Sequence, residues 1–269
     1  MKIGNGDFHI GDCFDVMAAI PDASVDMVLC DLPYGTTACS WDAVLPFDQL
    51  WEEYTRVLTS TGTCVLTASM PFTAALVASN FELFKYALTW VKTRATGHVH
   101  AKNKPMKKHE DVLVFSKGTT VHASQSVMRM TYNPQGMVEL SETKVRKKGG
   151  AASTVMSERP SHRDTIQTHT NYPTSILDFA SEGSTFHPTQ KPVSLFEYLI
   201  QTYTDEGMTV LDNTAGSGTT AIAAENAKRR WICIERDPDY ATKAIDRIKA
   251  HIGYVEPTGN QFFLFGDAA

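Results

Sequence analysis

The chain has 269 residues, 42% of them hydrophobic, enough to build one α/β domain or one domain carrying a large insertion. No stretch nears the ~18 to 20 consecutive apolar residues of a membrane span, and Met1-Lys2-Ile3-Gly4-Asn5-Gly6 lacks an apolar signal region, so a cytoplasmic protein is expected. The net charge of −5 is unevenly spread: Lys92 to Arg163 holds fourteen Lys and Arg against five Asp and Glu, and the remainder holds eleven against twenty-five. Such a basic middle fits a polyanion-binding face, although a solvated charged surface explains it equally well.

In chain order, Asp7 to Asp12 reads as a short first strand ending in Gly-Asp, and Asp15 to Ile20 as a helix broken by Pro21-Asp22. Val25 to Cys30 is an apolar run bounded by polar residues and reads as a buried, parallel strand. Pro46 to Leu58 has the helical period, with Pro46 at the first turn and Thr61-Gly62 closing the helix. Thr63 to Ala68, Phe84 to Lys92 and Asp111 to Ser116 read as strands, and Phe72 to Asn80 as a helix. Lys117 to Ser184 shows no sustained period; at almost seventy residues it is too long for a structureless loop and is expected to be an insertion or to order on a ligand. The regular pattern returns with a helix over Ser194 to Thr204, a strand over Thr209 to Asp212, a helix over Thr219 to Ala227, a strand over Arg230 to Glu235 and a helix over Tyr240 to His251. Alternation of this kind implies an α/β fold, a mostly parallel sheet with helices on both faces.

Two motifs carry chemistry. Asp31-Leu32-Pro33-Tyr34 follows the Val25 strand, so its carboxylate, a neighbouring backbone carbonyl and an aromatic ring meet at a crevice mouth. Two acceptors and a π surface suit an exocyclic amine on a planar base. An ordinary strand-to-loop turn is the bland reading for this motif alone. Asp212-Asn213-Thr214-Ala215-Gly216-Ser217-Gly218-Thr219-Thr220 links a buried strand to a helix N-terminus, and Glu235 ends the next strand, as in a nucleoside site where an acid accepts from ribose hydroxyls. The loop also fits the dinucleotide pattern G-x-G-x-x-G/A, which admits an NAD-dependent oxidoreductase. Only 49 residues follow Thr220, too few for a second mononucleotide half, and Asp212 suits a ligand with a cationic amino group better than a pyrophosphate. No metal is expected: the five cysteines are scattered without a C-x-x-C pair, and His98, His100 and His109 are more simply phosphate-facing or solvated.

With both motifs in place, the chain resembles the amino-methylating DNA methyltransferases in which D-x-P-Y precedes the S-adenosylmethionine loop. The resemblance spans roughly Ile10 to Ile252 without the stretch from Lys117 to Ser184, and includes His187-Pro188-Thr189-Gln190-Lys191-Pro192 before the first cofactor strand. It implies a Rossmann-like fold, S-adenosylmethionine as cofactor, and site-specific, restriction-modification-type transfer to N6 of a flipped adenine in double-stranded DNA. Catalytic residues would be Asp31, Leu32, Pro33 and Tyr34; cofactor residues would be Asp12, Pro188, Thr189, Lys191, Asp212, Asn213, Gly216, Gly218, Thr219 and Glu235. The commoner D-P-P-Y has proline where this chain has Leu32, which keeps the carbonyl. The commoner D-P-F loop start is here Asp212-Asn213-Thr214, so an aromatic contact is lost. Aspartate at the motif head leans toward adenine, with N4-cytosine or RNA-directed transfer as the alternative and an inactive DNA-binding module as a rival of another class.

The expected organisation is a catalytic half over 1–116, a basic target-recognition insertion over 117–184, a cofactor half over 185–255 and a tail over 256–269. Lys102, Lys104, Lys107, Lys108, Lys144, Arg146, Lys147 and Lys148 are the expected DNA contacts, mainly to phosphates. A homodimer is a further partner expectation. Gln261-Phe262-Phe263-Leu264-Phe265 would leave an apolar patch at a terminus, read either as a plug folded back on the sheet or, through Gln261, Leu264 and Phe265, as a peptide resembling those that dock on the DNA sliding clamp.

Overall fold

The computed structural model describes residues 1–36, 39, 42–122, 126–146, 165–183 and 189–254. Strands β1 (Lys2–Ile3) and β2 (Gly6–Ile10) form an antiparallel edge pair. Helix α1 (Cys13–Met17) begins earlier than the apolar period suggests because the Asp12 carboxylate caps it, accepting from the Phe14 amide at 2.9 Å. Strand β3 (Val25–Asp31) is followed by α2 (Phe47–Val57), whose Leu50, Trp51, Tyr54 and Val57 are buried.

Strand β4 (Leu58–Ala68) starts directly where α2 ends, so Thr61-Gly62 lies inside a strand and not at a helix stop. The register against β3 slips there, and a Cβ on Gly62 would sit 3.0 Å from the Asp26 carbonyl; the glycine serves a close strand approach that sequence punctuation alone mimics as a helix end.

Next come α3 (Phe72–Ser79), then β5 (Phe84–Thr96) and β6 (Lys107–Ser116), which pair antiparallel and run longer than their apolar cores. Strands β7 (Val138–Arg146) and β8 (Thr165–Thr170) form a separate antiparallel pair, and β9 (Ile176–Asp178) adds to the main sheet beside β5. The stretch without sequence period therefore returns to the main fold, with Met130 and Leu177 buried in its core. The chain closes with α4 (Val193–Tyr203), β10 (Thr209–Asp212), α5 (Thr219–Asn226), β11 (Arg230–Glu235) and α6 (Pro238–Ile252).

Among the described residues the main sheet has nine strands in the order β1-β2-β11-β10-β3-β4-β6-β5-β9, parallel from β2 to β4 and antiparallel on both sides of β6. Alternate residues of the central strands feed two cores. Met27, Leu29 and Val65 pack with Leu199, Ile222 and Ile248 of α4, α5 and α6, whereas Val28, Cys30 and Leu66 pack with Met17, Tyr54 and Leu76 of α1, α2 and α3. Both faces are thus covered, and each fully buried leucine or valine contributes about 1.5–3 kcal/mol. From β3 the chain moves to β4 on one side, and it later returns as β10 on the other. A crevice opens at that switch, outside the carboxyl ends of β3 and β10. Among the described residues no helix is long and apolar enough to cross a membrane, and no group of three or more His, Cys, Asp or Glu could hold a metal ion. Pro188, Lys147, Lys148, Gln261, Leu264 and Phe265 lie outside the described residues.

Candidate functional site

Asp31 is the last residue of β3 and stands opposite Thr67 of β4. Its Oδ1 accepts from the Thr67 hydroxyl at 2.5 Å and from the Tyr34 hydroxyl at 2.8 Å, so one oxygen is filled by two neutral donors. Tyr34 is fixed twice over, since its ring also stacks on Phe72 with centroids 5.0 Å apart and planes 26° from parallel. Burial pushes the Tyr34 phenol well above its ordinary range, and the charge of Asp31 adds to that, which keeps it a proton donor. Leu32 is buried, and Pro33 makes the turn that carries the backbone along the crevice wall.

The other oxygen of Asp31 meets a cation. Lys191 Nζ lies 2.6 Å from Asp31 Oδ2 and 3.3 Å from Glu110 Oε2, while Glu110 Oε1 takes Lys92 Nζ at 2.9 Å. Lys191 and Lys92 are only 6% and 9% exposed, so four charges of alternating sign run through the wall from β3 to β5. Burial opposes the charge on Lys191, but Asp31 and then Glu110 outweigh it and raise its pKa; burial likewise opposes the charge on Glu110, and the two lysines more than offset that.

The loop after β10 is set beside this turn because β10 and β3 are parallel neighbours, with Val210 opposite Met27 and Leu211 opposite Val28. The Thr214 hydroxyl donates to the Asp31 carbonyl at 3.3 Å and so ties the two motifs together. Asp212 is 3% exposed and turns into its own loop, accepting from the Thr220 hydroxyl at 2.5 Å and the Thr214 amide at 3.0 Å. Burial raises its pKa to about 7, against the pull of those two donors. Asn213 points into the core, where its Oδ1 accepts from the Tyr54 hydroxyl at 2.6 Å and the Cys30 thiol at 2.9 Å. Gly218 has φ of 73°, and a Cβ there would meet Ile248 at 2.9 Å, so only glycine passes this close to α6. The Gly216 amide donates to Glu235 Oε2 at 2.8 Å and the Asp237 amide to Oε1 at 2.8 Å, which leaves each carboxylate oxygen a further lone pair.

A cavity of about 1130 Å³ joins these parts. Asp31, Leu32, Pro33, Tyr34, Asp12, Thr189, Lys191, Asp212, Asn213, Gly216, Thr219, Glu235, Lys104 and Lys107 all line it, whereas Gly218, against Ile248 of α6, does not. Lys102 and Lys108 are exposed near the rim strands, and Lys144 is exposed on β7, which Arg146 ends. Lys191, expected among the cofactor residues, has its ammonium on the Asp31 carboxylate. Thr67, Lys92 and Glu110 do not stand out in the sequence, although Glu110-Asp111 is a polar pair set between a basic run and an apolar strand, a pattern that marks a strand mouth.

The family model described as "DNA methylase" matches residues 25–246. The chain is 26% identical over 260 residues to the type II methyltransferase M1.MboII of Moraxella bovis, covering 88% of this chain and 94% of that one. It is also 26% identical over 255 residues to the DNA adenine methyltransferase YhdJ of Escherichia coli (strain K12), covering 88% and 81%. In fold it is similar to the cytosine-N4-specific PvuII DNA methyltransferase, with TM-score 0.61 and 17% identity over 93% of this chain and 92% of that one. The M1.HpyAVI-SAM complex matches with TM-score 0.57 and 21% identity over 90% and 99%. The chain belongs to this DNA methylase family, whose members methylate the amino nitrogen of adenine or cytosine with S-adenosylmethionine.

Proposed function

We propose that, within this family, the chain transfers the methyl group of S-adenosylmethionine to N6 of an adenine flipped out of duplex DNA at a defined sequence. The observation that carries this is the meeting of the Asp31 turn and the Asp212–Thr220 loop on one cavity, joined by the bond from Thr214 to the Asp31 carbonyl. Aspartate at the head of the turn supports adenine over cytosine.

The donor set fits the cofactor: Glu235 has lone pairs left for ribose hydroxyls, and the glycine loop leads into the N-terminus of α5. Bound there, S-adenosylmethionine would supply an electrophilic methyl on a sulfonium. Asp31 Oδ2 and the Leu32 carbonyl would each accept one N–H of the amino group, favouring a pyramidal nitrogen and stabilising the positive charge that develops on it. Oδ2 is also the acceptor for the amino proton that must leave once the nitrogen carries the methyl. Flipping costs a few kcal/mol, offset by pocket hydrogen bonds and stacking. Residues 117–184, with the β7–β8 pair, would read the target, and Lys102, Lys104, Lys107, Lys108 and Lys144 would hold phosphates.

Incubation with tritiated S-adenosylmethionine and unmethylated genomic DNA, followed by nucleoside analysis, is expected to place the label in N6-methyladenine, and long-read sequencing then maps the site. Label in N4-methylcytosine would overturn the adenine assignment. Label in RNA alone would overturn DNA as substrate, and bound cofactor without any transfer would leave an idle binding module.

A further inference from the structure

We propose that Glu110 is a positioning residue that receives the Lys191 ammonium when the target base enters, freeing Asp31 Oδ2 for the amino group. The inference rests on the reading of Asp31 as the amino-group acceptor.

Three observations carry it. Asp31 Oδ1 already holds two hydroxyl donors, so Oδ2 is the oxygen left for the base, and it is engaged by Lys191 at 2.6 Å. Glu110 Oε2 is buried and has no hydrogen-bond partner, although Lys191 Nζ stands only 3.3 Å away. A buried carboxylate oxygen without a hydrogen-bond donor is costly, and Glu110 Oε2 stands within ion-pair range of the cation but short of a hydrogen bond to it. A movement of roughly half an ångström would close that gap to the 2.7–2.9 Å of a charge-assisted bond.

The exchange also improves the chemistry. An ammonium resting on Oδ2 would stand next to a nitrogen that becomes positive during transfer, and displacement toward Glu110 weakens that repulsion. Lys92, on the far oxygen of Glu110, holds the receiving carboxylate in place. Among the described residues, the other groups near Lys191 Nζ are the Tyr34 ring, with its centroid 5.8 Å away, and the Thr189 carbonyl at 3.4 Å, and neither is a carboxylate.

The test compares binding, in the presence of a non-transferring S-adenosylmethionine analogue, of duplexes carrying either the mapped target base or the same base without its exocyclic amino group. A merely structural role for Glu110 would affect both duplexes alike. With the native protein the amino group is expected to strengthen binding about tenfold, the scale of a hydrogen bond to a charged acceptor. In Glu110→Gln that preference is expected to fall below about threefold, with binding of the amino-less duplex and of the cofactor analogue unchanged. Because Glu110→Gln leaves Lys92 buried without its carboxylate, the pair Lys92→Met/Glu110→Gln is measured as well and should show the same collapse. An undiminished preference in either folded protein, or equal weakening of both duplexes, overturns the proposal. Asp31→Ala run in parallel reports on the underlying reading: if it still transfers methyl groups, the reading of Asp31 fails, whatever Glu110 does.

Discussion

Two carboxylates end neighbouring parallel strands, and their surroundings separate their roles. Asp31 faces the cavity with a buried ammonium on one oxygen and two hydroxyls on the other. Asp212, beside it on β10, has no ion-pair partner among the described residues; it accepts from Thr220 and Thr214 within its own loop, and burial lifts its pKa to about 7. The first stands at the cavity wall, paired with an ammonium. The second is a hydrogen-bonded brace whose charge depends on pH near neutrality. Two carboxylates at neighbouring strand ends on one cavity thus differ because the donors and charges around them differ.

The sharpest way to break this contrast is to remove the two groups in turn. Asp31→Ala is expected to lower methyl transfer by 10³-fold or more, about 4 kcal/mol of barrier, while changing cofactor affinity less than about twofold. Single-turnover transfer and calorimetric cofactor titration separate the two quantities. Retained transfer would move the catalytic acceptor elsewhere.

Asp212 gives the next largest effect, and it appears as pH dependence. In the unfolded chain its carboxyl ionises near the ordinary 3.8, whereas in the folded chain it ionises near 7, so between those values the folded state holds the extra proton. The stability from this group is complete below the ordinary value and is lost as pH rises toward and past 7. Between pH 5 and 8 that loss is about 3 kcal/mol. Denaturant midpoints across this range should fall with pH in the native chain and fall less in Asp212→Asn. A cationic amino group bound nearby would favour the ionised form, so cofactor affinity should rise over the same range in the native chain only. Parallel stability curves for the two proteins would remove the distinction between the carboxylates.

Much of this arrangement was legible in the sequence because it depends on local rules. Val25–Asp31 and Thr209–Asp212 announce themselves as buried strands, and the residues at their ends follow from the strand reading. The Lys92–Glu110–Lys191–Asp31 chain was not legible, because its members come from β5, β6, the segment before α4 and β3, and only the sheet order brings them together. Asn213 shows the same limit. It lines the cavity beside Asp212, and its place in the sequence gives no sign that its carboxamide oxygen also accepts from Tyr54 and Cys30 in the core. Strands β7 and β8 escaped because their residues are mostly exposed, as Val138, Val145 and Ile166 show, and β9 escaped because three residues with Leu177 alone buried are too few to set a period.

The smallest expected effect extends the comparison from the anionic strand ends to the cationic rim. Lys104 and Lys107 line the same cavity as Asp31, but both residues are exposed. Lys107 is already held by the Ser69 hydroxyl at 2.5 Å and the Met70 carbonyl at 3.4 Å. If their partners are phosphates, replacing both with alanine should weaken binding to target and non-target duplexes by the same factor, since a phosphate contact carries no sequence information. The slope of log affinity against log salt should become shallower by about 2, close to one released counterion for each lysine. Transfer at saturating DNA should stay within about twofold, because neither ammonium touches Asp31, and cofactor affinity should not move. Lys107 was pre-positioned by protein acceptors before any DNA arrives, so its single replacement should cost more than that of Lys104, whose side chain must be ordered at the moment of binding. Equal losses from the two single variants would refute the pre-positioning, and an unchanged salt slope would remove both lysines from the DNA path.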